Sequence, residues 1–140
     1  MAPGPHTVTA RFGGVNRSFV VNDATTTVVI TKEDAIATYT SAVFASTACV
    51  TCNTATVTLS ATVQDISAVP AAPATHGQEG DIRDATVTFT IVETGQTFPG
   101  VPIGLVTSGD TRTGTATKNV SLSLGTADAM AFTVLVTVNG

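Results

Sequence analysis

The sequence is poor in charged and in aromatic side chains. Among its 140 residues 11% are charged, no tryptophan occurs, and the six Lys and Arg are scattered singly. An average soluble domain contains about 25% charged residues. Because no basic patch is present, the chain lacks the electrostatic footprint of a nucleic-acid-binding protein. We therefore expect no nucleic-acid partner.

Long apolar runs and catalytic motifs are also lacking. No apolar stretch approaches the roughly 18 residues of a membrane span, so we expect no membrane insertion. Residues Met1–Pro5 have neither the charged leader nor the apolar core of a signal peptide, so if the parent protein is exported, its signal is expected outside this chain. His6 and His76 are far apart, and no glycines frame a serine as a nucleophile elbow. The sequence predicts a protein that is not an enzyme.

Threonine, by contrast, is abundant and makes up about a fifth of the chain. In Ala55–Gln64 (ATVTLSATVQ) apolar and polar residues alternate without a break, which is the period of a strand with one dry and one wet face. The same pattern, with Val87, Phe89 and Ile91 on the inner face, predicts another strong strand. Further strands are predicted at His6–Phe12, Arg17–Val21, Thr25–Thr31, Lys32–Thr40, Ile103–Thr107, Thr113–Leu124 and Ala131–Val138.

Turn-rich segments separate these strands, and no segment carries a helical stripe longer than a turn or two. Gly95–Pro102 is interpreted as such a turn, and Asp65–Asp84, rich in Ala, Pro and Gly, as a long exposed loop. Many short strands joined by turns indicate an all-β sandwich or barrel.

Three segments carry a resemblance to a known family. Thr54–Asp65 (TATVTLSATVQD), Asp84–Gly95 (DATVTFTIVETG) and Ala131–Gly140 (AFTVLVTVNG) resemble the second, third and penultimate strands of bacterial immunoglobulin-like (Big-type) repeat domains. The resemblance implies an immunoglobulin-like, two-sheet antiparallel β-sandwich of about seven to nine strands over residues 31–140. It also implies a non-catalytic structural or adhesion module, a spacer or stalk repeat, in an extracellular bacterial surface protein whose neighbouring repeats are its partners.

The two ends of the chain resemble each other. His6–Gly14 is similar to Phe132–Gly140, so residues 1–30 are interpreted as a hairpin and linker from the end of a preceding repeat, packed on the main sandwich. In the family a final strand follows that glycine. We hypothesise that this strand pairs beside Ala131–Val138, within the chain or in a strand-swapped homo-oligomer; its residues are Arg17, Ser18, Phe19, Val20 and Val21. The alternative is that the N-terminal hairpin forms a small sheet of its own.

Cys49 and Cys52 form a C-x-x-C motif, for which three interpretations exist. A zinc site needs four ligands, and no second cysteine pair is present. A redox motif of the thioredoxin type should open a helix, and none is predicted here. The favoured interpretation is therefore a disulfide within a loop, formed in an oxidising compartment.

Three acidic residues of the long loop, Glu79, Asp81 and Asp84, are candidate Ca²⁺ ligands, although they do not match the EF-hand pattern. A solvated loop is the favoured interpretation, and no other cofactor is expected. The same 65–84 loop offers an alternative function, the binding of a glycan or protein. A further alternative is a strand-donating subunit of a fibre or virus-like surface.

Lys118 falls on the predicted inner side of its strand. Such a lysine can be cross-linked to Asn139 or to an aspartate of an early strand. The alternative is a side chain that reaches water along its own aliphatic stem.

Overall fold

A computed structural model describes residues 4–11, 23–30, 34–66 and 80–140. Within these ranges the chain is all-β, with antiparallel sheets and no α-helix. The chain divides into two compact units, residues 1–32 and 33–140. None of the described residues belongs to a helix that is long and apolar enough to cross a membrane. That residues 1–30 derive from a preceding repeat stays a prediction.

The N-terminal unit contains a two-stranded antiparallel ribbon. Strand β1 (Gly4–Ala10) pairs along its whole length with β2 (Ala24–Ile30). The predicted hairpin partner of β1 was Arg17–Val21, which lies outside the described residues, and the observed partner is the later strand. β2 suits β1 as a partner because the two strands have equal length, and each of the seven residues of β1 lies opposite one residue of β2.

The second unit contains one six-stranded sheet in which every neighbouring pair is antiparallel. The strand order is β3-β4-β7-β6-β5-β8. The edge strands β3 and β8 also approach each other within 8 Å between Cα atoms, so the sheet curls into a nearly closed barrel. The six strands are β3 (Ala35–Tyr39), β4 (Thr54–Asp65), β5 (Thr86–Ile91), β6 (Gln96–Leu105), β7 (Thr113–Ser123) and β8 (Val134–Asn139).

Strand β6 joins the two halves of this sheet, and here the prediction of a turn over Gly95–Pro102 was wrong. The first part of β6, residues 96–102, pairs with β5, whereas its last three residues, 103–105, pair with β7. A single strand therefore serves both halves, and they form one continuous sheet.

A bulge marks the place where β6 changes partner. Between two regular pairs, Thr88 of β5 lies opposite both Pro99 and Gly100 of β6. Gly100 has a φ of 67°, in the left-handed region that glycine adopts without strain. Such bulges bend strands and allow them to turn from one layer into another. The turn residues noted in the sequence therefore bend the strand and do not end it.

Among the described residues, the fully buried core of this unit is aliphatic apart from Phe89, and Tyr39, Phe98 and Phe132 pack against it partly buried. The predicted inner faces are confirmed for β4 and β5, because Leu59, Val63 and Val87 have no exposed surface. Full burial of each such side chain contributes roughly 1.5–3 kcal/mol.

The long loop ends in a short 3-10 helix, Ile82–Asp84. Residues 67–79 of the loop lie outside the described residues. The prediction of an exposed loop up to Asp84 was wrong at this end, because Ile82 is buried in the core. Its backbone N–H donates to the carbonyl of Thr111 at 2.9 Å, which holds the helix against the β6–β7 turn.

Candidate functional site

An apolar cavity of about 410 Å³ opens at one end of the six-stranded sheet. Its walls come from the β3–β4 loop, β4, β7 and the segment that leads into β8. Every lining side chain is apolar apart from the phenol of Tyr39. Val43 and Phe44 of the loop are 80% and 91% exposed. The cavity has the size of a ligand site but lacks the convergent polar groups that such sites use to orient a substrate.

Strand β8 forms one side of this opening, and on its side away from β5 no described strand is hydrogen-bonded to it, although β3 approaches it within 8 Å between Cα atoms. Among the described residues β8 pairs with β5 alone. The N–H of Val92 donates to the carbonyl of Thr133 at 3.0 Å, so Thr133 turns its backbone groups toward β5. In an antiparallel ladder this orientation alternates along the strand. The backbone N–H and C=O groups of Val134, Val136 and Val138 therefore point away from β5.

The side chains of β8 are only partly covered by the described residues. Val134, Val136 and Val138 pack against the core but are only half-buried. On the outer face, Leu135 is 54% exposed. The strand contains no charged residue and no proline. β8 therefore presents an extended, uncharged edge beside an apolar cavity.

A carboxylate fastens the beginning of β8. Glu93, in the turn after β5, accepts a hydrogen bond from the N–H of Thr133 at 2.7 Å. Hydrogen bonds from the side chain of Thr133 first, and from its backbone second, lower the pKa of Glu93 below its ordinary value. The carboxylate takes the place of a backbone carbonyl at the first rung of the β5–β8 ladder. Above its pKa it therefore helps to hold β8 against β5.

The opposite end of the sheet is polar. Asp65, the last residue of β4, is buried, and its N–H donates to the carbonyl of Arg112 at 2.8 Å. Asp110 accepts hydrogen bonds from the backbone N–H and from Nε of Arg112, both at 3.1 Å. These bonds lower the pKa of Asp110, the backbone bond first. The polar contacts at this end belong to turns and strand ends.

Two of the three candidate Ca²⁺ ligands, Asp81 and Asp84, lie among the described residues. Glu79 lies outside the described residues. Asp81 accepts hydrogen bonds from Nε of Arg83 at 2.8 Å and from its backbone N–H at 3.0 Å. The side-chain bond from Arg83 lowers the pKa of Asp81 to about 2. In the part of the chain that the structure describes, no three His, Cys, Asp or Glu residues are placed to hold a metal ion.

Cys49 and Cys52 are joined by a disulfide in the β3–β4 loop, with their Cα atoms 5.1 Å apart. The N–H of Cys52 also donates to the carbonyl of Cys49 at 3.1 Å, and the hydroxyl of Thr47 donates to the same carbonyl at 2.9 Å. The disulfide therefore closes a single turn of the loop. While it is formed, neither sulfur is a thiolate that can bind a metal or attack a substrate.

Lys118 lies on β7 opposite the buried Leu59, yet it is exposed. The regular pairing of β6 with β7 ends at Ile103 and Ala116, so no β6 residue is paired beside Lys118. Where the β6–β7 pairing ends, the aliphatic stem of Lys118 can carry its ammonium group out of the sheet to water. The amide of Asn139, the suggested cross-linking partner, donates to the hydroxyl of Thr88 at 2.9 Å. The structure therefore favours a solvated lysine.

Comparison with models of known protein families gives no match, and neither do comparisons with curated proteins and with solved structures. Only the residues of this chain therefore indicate its function.

Sequence reasoning missed the cavity and the Glu93–Thr133 contact, whereas an edge of Ala131–Val138 that needs a further strand was expected from the comparison of the two chain ends. The alternation of Phe132, Val134, Val136 and Val138 signalled an inward face, but alternation does not tell how many neighbours a strand has. The composition of β8 gave no signal for an edge, because edge strands usually carry a charge or a proline and β8 has neither.

Proposed function

We propose that this chain is a non-catalytic structural module, a spacer or stalk repeat with an adhesive role, in an extracellular bacterial multi-repeat surface protein. The proposal includes the immunoglobulin-like two-sheet sandwich. The observation that carries it is the strand order, because β3-β4-β7-β6 and β5-β8 reproduce the ABED and CF strands of that fold. Strand β6 lies where the two sheets of the sandwich would meet.

The charge distribution supports a structural role. The described carboxylates with lowered pKa values, Asp81, Asp110 and Glu93, are bound to an arginine of the same turn or to a backbone N–H. None of them faces the cavity. A catalytic acid or base has to reach a substrate. The module would act through its stability and through contacts with neighbouring repeats.

The two alternatives have less support. Binding of a glycan or protein by the 65–84 loop rests largely on residues 67–79, which lie outside the described residues. Its described end, Asp81–Asp84, is held by a hydrogen bond from its own arginine and by the carbonyl of Thr111. Strand donation by Arg17–Val21 in a fibre or virus-like surface likewise rests on residues outside the description. No described contact favours either alternative.

The test is the organisation of the parent gene. The proposal expects further copies of the β4, β5 and β8 patterns in tandem with this one, in a protein whose repeats are accessible to protease on intact cells. A single copy in a protein that remains protected inside the cell would overturn the proposal.

A further inference from the structure

The disulfide of the β3–β4 loop is open to other molecules. Cys49 and Cys52 are exposed, and so are Val50 and Thr51 between them. The full sequence contains no other cysteine, so a thiol that attacks this bond has to come from another molecule. Exposed disulfides are the class that includes labile and catalytic ones. The position of this bond therefore allows exchange with an external thiol.

The backbone of this turn is also held by bonds other than the disulfide. The N–H of Cys52 donates to the carbonyl of Cys49 at 3.1 Å, and the hydroxyl of Thr47 donates to the same carbonyl at 2.9 Å. Next to the turn, the carbonyl of Asn53 accepts the N–H of Leu124 at 2.7 Å. None of these three bonds involves a sulfur atom, so all of them remain available after reduction. The two thiols would stay close together on a turn that is anchored to the sheet.

The disulfide lies apart from the hydrophobic core. Among the described residues, the core cluster includes none from the β3–β4 loop, residues 40–53. Burial of apolar side chains is the main favourable contribution to folding, and reduction of this bond exposes none of the core residues. The six-stranded sheet is therefore expected to remain folded when the disulfide is reduced.

We propose that Cys49–Cys52 is a redox-active disulfide that oxidises external dithiols while the sheet stays folded. A thiolate of the dithiol attacks the sulfur of Cys52, forms a mixed disulfide with it and releases Cys49 as a thiolate. The second thiol of the dithiol then attacks its own partner sulfur, which frees Cys52 and closes the dithiol as a disulfide. Two electrons and two protons pass from the dithiol to the chain. An external disulfide reverses both steps.

The hydroxyl of Thr51 determines which sulfur leaves. Its oxygen lies 3.5 Å from Sγ of Cys49, and because a disulfide sulfur has no proton to donate, the hydroxyl is the donor. A hydrogen-bond donor stabilises a thiolate, and a more stable thiolate leaves faster. Cys49 is therefore the leaving group, and Cys52 is the sulfur that the external thiolate attacks. The inference goes beyond the proposed function, since a spacer or stalk repeat needs no exchange of its disulfide.

The first experiment measures reduction of the folded chain without denaturant. The chain is treated with dithiothreitol, its free thiols are alkylated, and intact mass spectrometry counts the alkyl groups. We expect zero or two groups per chain, an unchanged far-UV circular dichroism spectrum, and return of the disulfide when oxidised glutathione replaces the dithiothreitol. Reduction that needs denaturant, or that removes the β-sheet signal, overturns the proposal.

The second experiment tests the role of Thr51 by the rate of reduction. Thr51→Val removes the donor and keeps the size of the side chain. Reduction by dithiothreitol should slow about three-fold, because the leaving thiolate loses one hydrogen bond. Thr54→Val is the matched control, since the hydroxyl of Thr54 donates to the side chain of Asn53, and it should leave the rate unchanged. Equal rates for Thr51→Val and wild type would overturn the assignment of Cys49 as the leaving group.

Single-cysteine variants test the same assignment without a disulfide. Cys52→Ser leaves the thiol of Cys49 beside Thr51, whereas Cys49→Ser leaves the thiol of Cys52. Near neutral pH the Cys49 thiol should react faster with iodoacetamide, because the thiolate is the reactive form and Thr51 stabilises it. Adding Thr51→Val to both variants should remove the difference, and circular dichroism checks that each variant folds. A Cys52 thiol that reacts as fast as Cys49 contradicts the proposed direction of attack. None of these experiments depends on the location of the parent protein or on tandem copies.

Discussion

Strands β5 and β8 are neighbours with the same alternating pattern, but they differ in burial. The inner residues of β5, Val87, Phe89 and Ile91, have no exposed surface, whereas those of β8 are half-buried. β5 lies between β6 and β8, while β8 has β5 as its one described neighbour in the sheet. The difference teaches that alternation determines which face of a strand is turned inward, and that the number of neighbouring strands determines how completely this face is buried.

The largest expected effect comes from the centre of β5. Phe89→Ala should lower the free energy of unfolding by about 3–5 kcal/mol, because it leaves a cavity in a fully packed core. Phe132→Ala, at the half-buried entrance to β8, should cost less than half as much. Urea denaturation of both variants measures the difference. Equal losses would mean that β8 is packed as tightly as β5.

A glycine tests how tightly the inner strands are packed. A Cβ on Gly114 of β7 would lie 2.9 Å from the carbonyl oxygen of Gly104 and closer still to Ile103, so Gly114→Ala should cost about 1–3 kcal/mol. Gly104→Ala is the control, because its Cβ would meet nothing nearer than 3.9 Å. Thermal unfolding should separate the two variants. A variant at Gly114 as stable as the control would show that this part of the sheet can shift.

Val87 and Val138 are a matched pair, because they lie directly opposite each other on β5 and β8. Val87→Ala should cost about 2 kcal/mol, and Val138→Ala less than about 1 kcal/mol, since less of its surface leaves water on folding. The comparison holds residue type and register constant. A larger loss at Val138 would reverse the assignment of inner and edge strand.

The smallest effect concerns the carboxylate that fastens β8. The pKa of Glu93 is lowered in the folded chain, so its contribution to stability is present above the ordinary pKa and is lost as the pH falls through the lowered value. Glu93→Ala should therefore melt slightly below wild type at pH 7 and together with it in strong acid. Melting temperatures at both pH values provide the measurement. A difference that grows in acid would contradict the assigned role.

Much of the fold could be predicted from the sequence, because alternation over Ala55–Gln64 and around Phe89 reports local geometry directly. The path of β6 could not, since Pro99 and Gly100 are typical of turns and become a bulge only when β5 lies beside them. The burial of Ile82 was missed for a similar reason, because a single apolar residue in a polar loop has no period. The cavity depends on which strands are neighbours, and no local pattern contains that information.

The most direct test of the account is residue-resolved amide hydrogen exchange at a concentration where the chain sediments as a monomer. The amides of Leu135 and Thr137, which face β5, should exchange slowly, and those of Val134, Val136 and Val138 should exchange much faster. The amides of β5 should be protected along the whole strand. Uniform protection along β8 in the monomer would contradict the account, because it would mean that another segment of the same chain already covers this edge.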